Sequence, residues 1–176
     1  MNFANLKTSK LQQGFTLIEL LIVIGILAVL MGIVLVAINP ARQFAQANNT
    51  KRNSDVKTIL DAVGQYLADH HGTLPTGLTA DGKLYELSNG LATFPNGTVG
   101  EVDICPLIVP SYVAAFPEDP SINGGSQIAC GNGISPEPVY DSGYTISISL
   151  TDNRVTVSAP DAQAIGGSPV TISLTR

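Results

Sequence analysis

Twenty-four consecutive residues, Phe15 to Ile38 (FTLIELLIVIGILAVLMGIVLVAI), carry a single charged side chain, Glu19. At about 1.5 Å per residue, a helix of that length reaches roughly 36 Å, enough to cross the hydrocarbon of a bilayer. The run therefore predicts a membrane anchor joined to a body of soluble character, the size of one ordinary domain. Glu19 is the anomaly. An ionised side chain at the centre of a spanning helix costs about 2.5–3.5 kcal/mol on insertion scales. A carboxylate kept there calls for a partner.

Charge is unevenly distributed along the rest of the chain. From Thr73 onward three basic residues (Lys83, Arg154, Arg176) face ten acidic ones, a net charge near −7. A body of that sign is not built to grip nucleic acid by its phosphates, so no direct nucleic-acid binding is expected of it. Ala41 to His71, with four basic and three acidic residues, is close to balanced.

Ahead of the apolar run stands a short polar leader, MNFANLKTSKLQQG, with Lys7 and Lys10. In an ordinary secretory signal the apolar region precedes the cleavage site. Here the suggestive cut, after Gly14, comes before the run and would leave it in the mature chain. Two lysines precede the span and Arg42, Lys51 and Arg52 follow it, so charge counting does not orient the anchor.

The stretch GFTLIELLIVIGIL resembles the prepilin signal of type IV pilins and pseudopilins. The basic leader, Gly14, Phe15, Thr16, Leu17, Glu19 at the fifth position from Phe15, and the apolar tail match together. The resemblance implies that a membrane-embedded prepilin peptidase cuts between Gly14 and Phe15 and methylates the new amino terminus of Phe15. It also implies that the leader faces the cytoplasm and the head lies outside it. Glu19 then acquires a role, pairing with the amino-terminal ammonium of a neighbouring subunit in a filament. Either charge alone is expensive in an apolar core; together they neutralise and fix the axial register. The bland alternative is a glutamate that reaches back to the membrane interface.

Beyond Ile38, Val56, Ile59, Leu60, Val63 and Leu67 recur at helical spacing, with Asp55, Lys57, Asp61 and Asp69 off the stripe. Gly72 and Pro75 end the pattern. The expected spine helix covers 15–71, its part 15–38 transmembrane and its part 41–71 amphipathic, about 85 Å if continuous. Pro40 removes a backbone donor and disfavours helix at Asn39, which predicts a kink or break near 39–40. Many pilins carry such a proline, often somewhat earlier. Gly25 and Gly32, seven apart, share a helix face and would allow close helix approach, or are simply tolerated in a span.

Residues 72–176 form the expected head. Its first part is loop-rich, with turn signals at DGK, SNG and FPNG and one or two short strands. YTISISL (144–150) alternates as a half-buried strand does; RVTVSA follows the TDN turn, and PVTISL (169–174) makes a third strand. The fold class is α+β: an antiparallel sheet laid over the apolar stripe of the helix, pilin-like, with 1–14 as leader. PSYVAAFPEDP (110–120) resembles a tyrosine, proline and Asp-Pro stretch common in pseudopilins and many minor pilins. Cys105 and Cys130 lack zinc-like spacing; in an exported body they would form one disulfide, and two buried thiols are the alternative. In the better-known pilins the second cysteine lies nearer the C-terminus.

No catalytic constellation emerges. The only histidines, His70 and His71, close the helix, where interaction with its last carbonyls is the expected role. CGNGIS lacks the spacing of a phosphate loop. Glu118 and Asp119 read as a solvated turn. No run has the oxygen-ligand spacing of a calcium site like that of some major pseudopilins. NNT and NGT match the glycosylation sequon. The expectation is a non-enzymatic structural subunit without cofactor or metal. It would be stored in the inner membrane and polymerised into a helical homo-oligomeric filament by an assembly platform and ATPase, ending in an extracellular pilus. A pseudopilin of a secretion machine and a plain bitopic protein with a binding head are the rivals.

Overall fold

The computed structural model describes residues 14–90, 98–128, 130 and 139–176. Positions 1–13 of the leader, the FPNG turn, the NGT sequon through Gly97 and most of CGNGIS lie outside the described residues. The chain divides after Pro40 into two units.

The first unit is α1 (Leu17–Ile38). Thr16, extended at φ −79° and ψ 152°, caps it, and the helix ends where Asn39 turns left-handed at φ 46°. Asparagine tolerates that conformation better than most side chains, and the proline after it excludes ordinary helix at this position. All of Leu17–Ala37 is exposed, and among the described residues it is the one helix long and apolar enough to cross a membrane. A helix apolar on every face yet uncovered by its own chain needs lipid or other helices around it.

The second unit holds all of α2 (Pro40–Asp69) but its first residue; Pro40 takes the first helical position, where its missing N–H costs nothing. Val56, Ile59, Leu60, Val63 and Tyr66 are buried, with Leu67 partly so, as their spacing requires. Each such side chain contributes about 1.5–3 kcal/mol by leaving water. At the far end His71 and Gly72 are left-handed and the Gly72 N–H donates to the Leu67 carbonyl at 2.7 Å.

The helix packs on a five-stranded sheet of order β2-β1-β5-β6-β7. Its strands are β1 (Leu84–Ser88), β2 (Thr98–Val102), β5 (Asp141–Ile148), β6 (Val155–Ala159) and β7 (Ile172–Thr175). A short α3 (Cys105–Ile108) and the two-residue strands β3 (Phe116–Pro117) and β4 (Gln127–Ile128) lie between β2 and β5. Tyr144, Ile146 and Ile148 of β5 with Val155, Val157 and Ala159 of β6 form one apolar face; β6 alternates as a half-buried strand, whereas β5 buries Ser142 and Thr145 as well and so departs from the half-buried expectation. The Tyr144 hydroxyl crosses to α2 and donates to Asp55 Oδ2 at 2.7 Å. The layout is α+β and pilin-like. It departs from expectation in two ways. The loop-rich region supplies four short strands, and β1 pairs with β2 in parallel, so the sheet is antiparallel-rich rather than wholly antiparallel.

Candidate functional site

The segment Gly14–Glu19 is a short extended entry followed by a helix start. Phe15 is 90 % exposed, so a bond between Gly14 and Phe15 meets no obstruction from the described residues. Thr16 and Glu19 form a reciprocal cap: the Glu19 N–H donates to Thr16 Oγ1 at 3.3 Å, while Glu19 Oε2 accepts the Thr16 N–H at 2.8 Å and its hydroxyl at 2.7 Å. This capping box satisfies backbone donors that would otherwise be stranded in an apolar medium. Both bonds to the carboxylate fall on one oxygen, so the other retains capacity for a cation. After a cut at Gly14 the new ammonium would sit one residue before the cap. Glu19 thus starts its own helix, and a cut at Gly14 would leave its carboxylate near the new amino terminus.

Along α1, a Cβ placed on Gly25 or Gly32 would meet no other atom within 4 Å. Shallow apolar grooves run over both, one lined by Leu21, Ile22, Ile26 and Leu30, the other by Ala28, Ile33, Val36 and Ala37. These are faces on which a neighbouring helix could lie close.

In the body, Cys105 and Cys130 are joined by a disulfide, with Cα atoms 5.5 Å apart and both residues buried. His70 Nδ1 lies 2.9 Å from the Tyr66 carbonyl and its ring stacks on the Tyr66 ring at 4.0 Å, an arrangement that closes α2. Among the described residues no group of three metal-ligating side chains converges.

The expectation of a solvated turn at Glu118–Asp119 is wrong. Asp119 and Arg52 are both fully buried and form a bidentate pair, Nε to Oδ2 at 2.6 Å and Nη2 to Oδ1 at 2.8 Å. Ser121 Oγ and Asn49 Oδ1 take further guanidinium donors at 2.6 and 3.0 Å. Burial alone would raise the Asp119 carboxyl, but the Arg52 hydrogen bonds and the Ser121 N–H outweigh it and hold the group below its ordinary value. Neighbouring Lys51 donates to the Glu118 carbonyl at 2.7 Å, so two consecutive cations of α2 hold the 118–126 loop. Gly143 lies against that loop: at φ 72° its added Cβ would come within 2.8 Å of the Asp119 Cβ. The available sequence signal was spacing, because Asn49, Arg52 and Val56 continue the buried stripe of α2 toward its start.

Residues 9–35 match the family model described as the prokaryotic N-terminal methylation motif, the prepilin signal of type IV pilins and pseudopilins. The matched segment contains Gly14, Phe15, Glu19 and most of α1. It implies processing by prepilin peptidase and assembly at a membrane. No curated protein and no solved structure matches the chain.

Proposed function

We propose that this chain is a structural subunit of a type IV pilus-like filament. Prepilin peptidase cuts it between Gly14 and Phe15 and methylates Phe15. The mature subunit waits in the inner membrane through Phe15–Ile38, amino terminus cytoplasmic and acidic head outside, and is then polymerised. The observation that carries this reading is the methylation motif running directly into an apolar helix that no described part of the chain covers. Transfer of such a helix from lipid to a bundle of like helices is nearly neutral for its apolar residues. Extrusion therefore draws on an assembly platform and ATPase, and Glu19 supplies register by meeting the ammonium of a neighbour. The subunit carries out no catalysis and needs no cofactor.

The test is the location of assembled material. Fibres sheared from cells that express the chain should contain it, and their immunolabelling should be continuous. Polymer confined to the periplasmic side of the envelope would favour a pseudopilus. A chain found only as unassembled membrane protein would contradict both.

A further inference from the structure

Glu86, in the middle of β1, is 2 % exposed and lies on the sheet face opposite α2, since its cross-strand partner is Thr145 rather than Ile146. Its Oε2 and the Thr145 hydroxyl are both buried and find no hydrogen-bond partner among the described residues. Among the described residues, the charged groups that act on it are all acidic. Glu101 stands beside it on β2, Asp141 approaches from the start of β5, and Asp161 from the segment after β6. Glu101 accepts from the Ser88 hydroxyl and the Gly90 N–H at 3.0 Å each, and Asp141 from the Gly143 N–H at 2.8 Å. Both carboxylates therefore have donors of their own. Among the described residues, each basic side chain of the head and of α2 from Lys51 onward pairs with a carboxylate other than Glu86. The three basic residues beyond Thr73 are engaged elsewhere: Lys83 with Asp81 at 3.3 Å, Arg154 with Asp152 at 3.8 Å, and Arg176 with Asp61 at 2.9 Å. Lys51, Arg52 and Lys57 of α2 pair with Asp55, Asp119 and Asp61.

We propose that Glu86 is a proton-operated latch on the β2–β1 edge of the sheet, closed while its carboxyl is protonated and released as the surroundings turn alkaline. Three carboxylates on adjacent strands cannot all ionise cheaply, and the buried one, whose Oε2 has no donor among the described residues, keeps its proton. As an acid it can donate to Asp141, which ties β1 to β5 across the bulge between Glu86 and Ser88. Burial first, then the neighbouring Asp141, pushes the Glu86 carboxyl up to about 7. A raised carboxyl makes the folded head the better proton binder. Its contribution is therefore complete below the ordinary value of 4.5 and is lost as pH rises through about 7. An exported head with this latch holds its β2–β1 edge most firmly in acidic surroundings and loses that hold as they become neutral.

The experiment is urea unfolding of the full-length protein in detergent, followed by tyrosine near-ultraviolet circular dichroism, since all five tyrosines lie beyond Pro40. The wild-type folding constant should fall by up to about tenfold per pH unit between about 4.5 and 7 relative to Glu86→Gln. Parallel profiles for the two proteins would overturn the latch. Infrared spectra of the wild type alone guard against a variant that fails to fold. A protonated carboxyl band persisting at pH 6 and vanishing by pH 9 supports the proposal, and no such band at pH 6 refutes it.

Discussion

Arg52 and Asp119 are 67 positions apart, yet each is the other's main polar neighbour in the interior. Removing one partner leaves a buried charge without compensation, which in comparable sites costs about 3–5 kcal/mol. Arg52→Ala should therefore destabilise the head by roughly that amount in urea unfolding, far more than Lys57→Ala on the exposed side of the same helix. Because the Asp119 carboxyl is held below its ordinary value of 3.8, its contribution is complete above that pH and is lost as pH falls through the depressed value. Acid titration should show Asp119→Asn losing the wild type's steep loss of stability at low pH. The sequence carried only the α2 side of this pair, in the spacing of Asn49, Arg52 and Val56. Two adjacent acids between prolines look like a solvated turn, and nothing local marks one as the mate of an arginine on a distant helix. Glu86 was missed for a related reason: an acidic residue in a strand of five residues gives no sign that its own side chain is buried.

Elements were legible in proportion to their length and period. The run Leu17–Ile38, the α2 stripe and the alternation in β5 and β6 each repeat often enough to specify a face. The break at Asn39 followed from Pro40, because a proline restricts the residue before it whatever the tertiary context. Strands β1 to β4, of two to five residues each, carry too few repeats to stand out from the turns around them. The parallel β1–β2 pair cannot be read from composition at all, since register there is set by neighbours. What fastens the irregular region is the disulfide from α3, which closes a span of 25 residues. Replacing Cys105 and Cys130 together by serine should cost about 2–5 kcal/mol, measured as a lowered urea midpoint, with the α2–β5 core still folded at neutral pH.

At the scale of the whole molecule the sequence divides labour between an apolar helix and an acidic head, and each has a separate failure mode. Head variants should lower stability and abundance without altering processing. Variants at the start of α1 should do the reverse. Glu19→Ala should insert into the membrane normally, lose the carboxylate side of the Thr16 cap, and fail to enter filaments. Filament yield equal to wild type in sheared fractions would remove pairing from the account. The motif at 9–35 was fully legible because it is local and dense. The most direct measurement is the amino terminus of the mature protein, by intact mass and terminal-peptide spectrometry from cells with active prepilin peptidase. The account predicts a chain that begins at Phe15 and carries one added methyl group. A mature protein still beginning at Met1 would contradict it.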